Sequence, residues 1–419
     1  MAGWLLALLG LVSLGIAANA RWPRQTLPAL IPSWALAMAA VEFAIHLTAI
    51  GLIVVVVLVA SGALQSPIGD VGLVLWLAAA AAAIPWGRSS LRTRLDVEGR
   101  PAELDLDADD APSFPRLQIV FPLLAPWRRG VRHERGKVFA RVGDDGRELK
   151  LDVFRPAKDP GRRLPAIIHI HGGAWYFGSR HEQGLPLLNH LAANGWIGIN
   201  IDYRLSPKAT MPEHIHDCKR AIAWVREHAD ELGIDASFIA ITGGSAGGHL
   251  ASLCALTPND PRLQPGFERA DTHVDACVSF YGVYDLSDPG ERQIPALRRL
   301  VEKIVFKTTV AENHDLFKLT SPMEHLRRDA VPFFVIHGDG DTLVPVAESR
   351  DFVAALRDAS DHVVLYAEMP GGQHAFDMLP TWRSVPVIRA AERFLAATYA
   401  TRFGTHGETE DAVERHVTA

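Results

Sequence analysis

Residues 1–87 of this chain carry only four charged side chains, Arg21, Arg24, Glu42 and Asp70, although the whole 419-residue chain has 42 Lys and Arg and 48 Asp and Glu. A water-exposed surface cannot be built on so few charges, so this part has to pack its apolar residues against protein or lipid. Three apolar stretches stand out: Trp4–Ala20, roughly Phe43–Leu64, and Val71–Trp86. A bilayer core takes about 17–25 apolar residues per helix, so the middle stretch is comfortable and the outer two are short. Trp22, Trp34 and Trp86 fall near the expected ends, where indoles favour the interface. The expectation is a transmembrane region of about three helices over residues 1–87. A buried helical hairpin, or a signal peptide followed by core helices, is the rival reading. Ala18-Asn19-Ala20 resembles a small-residue cleavage site, but the opening "MAGW" supplies no basic n-region.

Charge also predicts a topology. Arg21 and Arg24 follow the first stretch, and Arg88, Arg92 and Arg94 follow the third. With three spans these two segments share a side, and the positive-inside rule makes it the cytoplasm. The expectation is therefore a multi-pass cell-membrane protein with everything after residue 88 in the cytoplasm. Glu42 and His46 share one helical face at the start of the second span. They are expected at the membrane interface, with a functional intramembrane pair as the alternative.

Beyond this region the composition is that of a water-soluble domain. A net charge of −6 gives no reason to expect nucleic-acid binding. Cys218, Cys254 and Cys277 make neither a disulfide framework nor a CxxC metal pair, which fits a reducing compartment. Residues 88–115 are polar with acidic runs and read as a linker, 116–403 as the catalytic domain, and 404–419 as a polar tail.

Strand-like and helix-like patterns then alternate. "RGKVFARV" and "LKLDVFRPA" flank the turn signal "GDDG", as in a hairpin. "LPAIIHIHG", "FIAITGG", "DACVSFYG", "PFFVIHG" and "HVVLYAE" read as strands. The first and second are continuous apolar runs of the kind buried on both faces. Helical spacing recurs between the strands and in the closing "VPVIRAAERFLAATYA". The fold class is α/β, a mostly parallel central sheet with helices on both faces, whose active sites gather at the carboxyl ends of the strands.

The chemistry lies at those ends. Gly243-Gly244-Ser245-Ala246-Gly247 follows the strand "FIAITGG" and opens a helical pattern. It matches G-x-S-x-G, a sharp strand-to-helix turn that holds a serine above the sheet. Its neighbours must be small, because larger side chains would collide with the adjoining strand or helix. A serine hydroxyl needs a base oriented by an acid, and in this architecture the chain order is Ser, Asp or Glu, His. Asp341 follows "PFFVIHG", with Asp339 as the competing acid, and His374 follows "HVVLYAE". Ser245, Asp341 and His374 are thus the candidate triad. Attack on an ester puts negative charge on the carbonyl oxygen, which needs preorganised donors. Gly172 and Gly173 of "HIHGGAW", with Ala246 after the serine, are the candidate oxyanion donors.

Together "HGGAW", "DYRLSP", "GGSAGG", "HGDGDTLVP" and "GGQHAF" resemble the α/β-hydrolase superfamily. The likeness is to bacterial carboxylesterases related to hormone-sensitive lipase and arylacetamide deacetylase, over about residues 130–400. It implies a serine carboxylesterase or lipase that hydrolyses esters through an acyl-enzyme, with no metal or organic cofactor. Ala174 departs from the common HGGG motif, and HGG-x-W also resembles kynurenine formamidases, so amide or formamide cleavage stays open. A non-catalytic hydrolase-fold interaction module is the reading from another class.

Residues 285–322 form the natural lid. Leu297, Leu300, Val301, Ile304, Val305 and Phe306 could line an acyl tunnel or make ordinary core contacts. Trp175 and Tyr176 are candidate substrate-binding residues. His214, His216, Asp217 and Cys218 are all metal-ligand types, but they fall at the start of a structural helix. The partners expected are an ester substrate and the lipid bilayer.

Overall fold

The computed structural model describes residues 1–101, 104, 106, 114–122, 128–288 and 290–402. The tail expected at 404–419 and the interior of the linker lie outside these described residues.

Four helices come first: α1 (Ala2–Arg21), α2 (Leu30–Glu42), α3 (Ala44–Ala60) and α4 (Pro67–Leu91). Of these, α1 and α4 are long and apolar enough to cross a membrane, while α2 and α3 meet at an 83° bend. The bend divides what the sequence suggests is one span with a loop before it. Trp34, read as a span-end residue, sits inside α2. α1 and α4 run parallel: a Cβ on Gly3 would meet Ser66, and one on Gly10 would lie 2.4 Å from the Gly72 carbonyl oxygen. Glycines at this crossing let two backbones approach as side chains would not allow. α3 returns against them, with Gly51 beside Trp76 and Ile45 beside Gly87. The Arg21 and Arg88 ends of the bundle therefore lie on one side, next to the α/β domain.

Among the described residues, nine strands form one sheet: β1 (Val97–Glu98), β2 (Val131–Val142), β3 (Arg147–Pro156), β4 (Leu164–Ile170), β5 (Ile197–Ile201), β6 (Ile234–Gly244), β7 (Ala276–Phe280), β8 (Phe333–Gly338) and β9 (Val364–Met369). Their order is β1-β9-β8-β7-β6-β4-β5-β3-β2. β4 to β9 pair in parallel, β2 and β3 form the expected antiparallel hairpin, and β1 pairs antiparallel with β9 through Val97–Ala367. The segment read as a linker thus supplies an edge strand, followed by a short helix α5 (Arg116–Val120).

Alternation along the strands sorts the core into two layers. Ile168, Ile241 and Val335 face one layer, completed by α7 (Glu213–Glu227), α9 (Ala246–Leu256) and α12 (Val346–Ala359). Ile167, Ala240 and Phe334 face the other, covered by α6 (Leu185–Ala193) and α13 (Ser384–Arg402). The short α8 (Ala229–Leu232) leads into β6. The insertion expected to form a lid folds as α10 (Pro295–Leu300), a π-helical turn (Val301–Phe306) and α11 (His314–Leu319).

Glu42 and His46 both face the α/β domain. Glu42 is buried against the α/β domain, and His46 Nε2 lies 2.9 Å from the Ile119 carbonyl oxygen with its ring against Trp382. A charged group next to an apolar helix can satisfy itself on protein, and here a folded domain is within reach.

Candidate active site

Ser245 stands between β6 and α9 with φ 58° and ψ −122°. This left-handed backbone is held by its surroundings, because an ordinary L-residue leaves it when it can. Its own N–H donates to the Phe280 carbonyl oxygen (3.0 Å). A Cβ on Gly243 would lie 2.4 Å from the Gly247 carbonyl oxygen, and one on Gly247 would lie 2.0 Å from that of Ile170. The turn can close only because both residues lack side chains.

His374 lies in the loop after β9, and its Nδ1 is 2.6 Å from Asp341 Oδ2 in the loop after β8. The same Asp341 oxygen lies 3.0 Å from His337 Nε2, and the other accepts the N–H groups of Leu343 (2.8 Å) and Val344 (2.9 Å). Burial works against the Asp341 charge, but the His374 and His337 imidazoles facing it hold the carboxyl well below the usual carboxylate range. Asp339 is engaged elsewhere, accepting the Gly371 N–H. Of the two acids weighed, Asp341 is the one beside the imidazole.

Ser245 and His374 line one narrow cavity of about 40 Å³, together with Gly172, Gly173, Ala174 and Trp175. Gly172 does not offer the donor expected of it. Its N–H donates to Gln183 Oε1 (2.7 Å), a side chain placed there by the turn before α6. Gly173 has φ +113°, and a Cβ there would sit 2.0 Å from the Phe177 carbonyl oxygen, so the residue has to be glycine. Its carbonyl accepts the N–H groups of Tyr176 and Phe177, both at 3.0 Å. Among the described residues, the N–H groups of Gly173 and Ala174 have no protein acceptor. That of Ala246 belongs to the first turn of α9, where no intrahelical acceptor exists.

The two aromatic candidates separate. Trp175 is buried on the cavity, its Nε1 donating to His249 Nδ1 (3.2 Å), while His249 Nε2 donates to the Thr320 carbonyl oxygen (2.7 Å). Burial pushes the His249 imidazole down to about 4, so it is neutral and can accept from Trp175. Tyr176 is 42% exposed and is not among the lining residues. The turn closed on the Gly173 carbonyl carries it outward and brings Phe177 in. The lid splits likewise: Leu297 and Leu300 line the cavity, whereas Val305 and Phe306 are core, with Phe306 stacked on Phe317 at 3.9 Å.

Of the cluster weighed as metal ligands, Asp217, His214 and Cys218 are taken up by structural contacts. Asp217 accepts from Arg204 at three nitrogens, His214 Nε2 lies 3.1 Å from Ser206 Oγ, and Cys218 is core.

Comparison with known proteins places the chain among esterases. Residues 151–356 match the BD-FAE family. Probable carboxylic ester hydrolase LipM of Mycobacterium tuberculosis is 51% identical over 261 residues, 62% of this chain and 61% of LipM. Esterase LipQ of the same organism is 48% identical over 62% of each chain. The chain therefore spans about three-fifths of the length of these two relatives. Esterase LipC of M. tuberculosis is 43% identical over 65% of this chain and 68% of its own length. Among solved structures, the apo form of Thermogutta terrifontis esterase 2 superposes with a TM-score of 0.53 at 30% identity, covering 66% of this chain and 96% of that one. The chain belongs to the esterase family of the α/β-hydrolase fold. The same Thermogutta enzyme has also been solved phosphorylated by paraoxon (TM-score 0.52, 28% identity, 66% and 95% covered).

What this esterase-family chain adds to its cavity comes from the N-terminal helices. Leu30, Ile31 and Trp34 of α2 form one wall. Tyr281, which lies after β7 and bonds to Asp377, lies with its ring centroid 4.6 Å from that of His374. Neither the α2 wall nor Tyr281 stood out in the sequence.

Proposed function

We propose that this protein is a membrane-anchored serine carboxylesterase or lipase, with Ser245 as nucleophile, His374 as base and Asp341 as the orienting acid. The observation that carries the reading is the 2.6 Å contact between His374 and Asp341 beside a strained Ser245, with Ser245 and His374 lining one mainly apolar cavity.

In this mechanism Ser245 Oγ attacks the ester carbonyl carbon while His374 Nε2 takes the hydroxyl proton. Charge moves to the carbonyl oxygen, where the N–H groups of Gly173, Ala174 and Ala246 are the donors; Ala174 replaces Gly172, whose N–H is held by Gln183. Each such donor is worth about 10²–10³ in turnover. The C–O bond breaks, the alcohol leaves with the proton from His374, and water activated by the same imidazole hydrolyses the acyl-enzyme. Ionised Asp341 holds the imidazole tautomer and stabilises its charged form.

The anchor is α1, α3 and α4. At about 1.5 Å rise per residue, the 20 residues of α1 match a hydrocarbon core of about 30 Å. Leu8 and Leu11 of α1, Ile53 and Val57 of α3, and Val74 and Leu77 of α4 face outward, which suits lipid. The arginines at the domain end suit a cytoplasmic domain. An anchored catalyst suits an ester that partitions into the bilayer.

The test is hydrolysis of p-nitrophenyl esters of two to sixteen carbons by wild type and Ser245→Ala in detergent. Activity lost in the variant is expected, and the preferred chain length separates esterase from lipase. Hydrolysis of aryl amides instead would redirect the reading to deacylation of amides. A C-terminal tag that resists protease in intact cells is expected; its cleavage would overturn the orientation.

A further inference from the structure

The loop carrying His374 is a run of turns containing Gly371 and Gly372, tied locally by the Gly372 N–H to the Met369 carbonyl oxygen (3.0 Å) and by the Gly371 N–H to Asp339. Its own domain holds it through Gln373, whose Oε1 accepts from the N–H of Thr342 (2.8 Å), the hydroxyl of Thr342 (3.0 Å) and the N–H of His374 (3.0 Å). That one side chain ties the loop of the acid to the loop of the base. What holds Gln373 itself comes from elsewhere: its main-chain N–H donates to Glu42 Oε1 (2.9 Å), at the end of α2.

The second Glu42 oxygen accepts from Arg383 Nε (3.0 Å), and both side chains are fully buried, at 1% and 0% exposure. Arg383 also donates to the Pro370 carbonyl oxygen and to Ser89 Oγ (3.3 Å), and Ser89 donates to Pro370 (2.9 Å). Residues 370–373 are thus gripped by the ends of α2 and α4. A buried ion pair is a poor source of net stability, since apolar replacements are often as good. What apolar residues cannot do is accept a main-chain N–H at a fixed point.

We propose that Glu42 is a positioning residue for catalysis, holding the Gln373 main chain so that His374 faces Ser245. The proposal rests on the Ser245–His374–Asp341 reading. It makes the N-terminal helices part of the esterase machinery and not only a tether.

The test uses the full-length protein in detergent, with ester turnover and the rate of inactivation by paraoxon, which reads attack by the serine without the deacylation step. Glu42→Met is expected to lower kcat and the inactivation rate together, by up to about 10²-fold as for a displacement near 1 Å. KM should stay within about threefold. Glu42→Gln keeps an acceptor for the Gln373 N–H and is expected to recover most of the loss. Should Glu42→Met fail to fold, Glu42→Met/Arg383→Met leaves no lone buried charge, and its folded fraction should still turn over slowly with an ordinary KM. A wild-type kcat in the folded fraction of either Met variant would overturn the proposal, reducing Glu42 to a structural contact. Ester hydrolysis surviving in Ser245→Ala would instead overturn the triad reading, whatever the Glu42 variants do.

Discussion

The indole of Trp34 donates to the main-chain carbonyl of His374 (3.2 Å), joining residues 340 positions apart in the chain. The two rings also meet edge to face, 5.9 Å between centroids. Trp34→Phe should keep the cavity wall and lose one hydrogen bond, which is worth about 1 kcal/mol, or about fivefold in kcat/KM. Trp34→Ala should cost more, because the wall goes too. Equal losses in the two variants would mean that the wall contributes nothing, and steady-state kinetics on a butyrate ester decides it.

Asp341 and Asp339 differ in what they touch, so their amides should differ in effect. Asp341→Asn should lower kcat by about 10⁴-fold by allowing the wrong imidazole tautomer. Asp339→Asn keeps an amide oxygen to accept the Gly371 N–H and should stay within about tenfold. Similar losses would reassign the acid.

The pH dependence follows from the depressed Asp341 carboxyl. Because its folded value lies below the ordinary value of about 3.9, its stabilising contribution is complete above that pH and is lost only as pH falls through the lower folded value. Asp341 therefore stays ionised throughout the acid limb of activity. A plot of log(kcat/KM) against pH should show no break near the ordinary carboxylate value of about 3.9; a break there would show Asp341 taking up a proton within the working range.

Leu297 and Leu300 reach the cavity while Val305 and Phe306 do not. Leu300→Trp should move the preferred ester toward shorter acyl chains, read from the same p-nitrophenyl series. Tyr176→Ala should leave that profile unchanged, since Tyr176 lies outside the lining.

The crossing of α1 and α4 depends on glycine. A Cβ on Gly72 would lie 2.4 Å from the Ala7 nitrogen, so Gly72→Leu must drive the helices apart. A lower unfolding temperature in detergent is expected, whereas Gly15→Leu, at a position open on all sides, should leave it unchanged.

The parts legible in the sequence were those that follow from local rules. Ser245, Asp341 and His374 each follow a buried strand, and the glycines around Ser245 advertise a turn without room for side chains. That the Gly172 N–H is taken up could not be read locally, because its recipient, Gln183, lies in a separate segment that no local pattern connects to it. α2 was missed for the opposite reason. Its composition matches its apolar neighbours, and only contact with the α/β domain distinguishes a cap helix from a span. Glu42 shows the same limit: a carboxylate beside an apolar run implies a partner, but Arg383 is 341 residues away.

The grip of α2 and α4 on residues 370–374 bears on what proteolysis would do to this protein. A tethered enzyme with a self-sufficient active site can be shed, leaving a diffusible catalyst. Here a cut between α4 and β1 would release a domain lacking the Trp34 wall, the Glu42 acceptor and Ser89. On the function proposed above, that fragment should hydrolyse esters at a small fraction of the full-length rate, so clipping would silence the chain where it would liberate another enzyme.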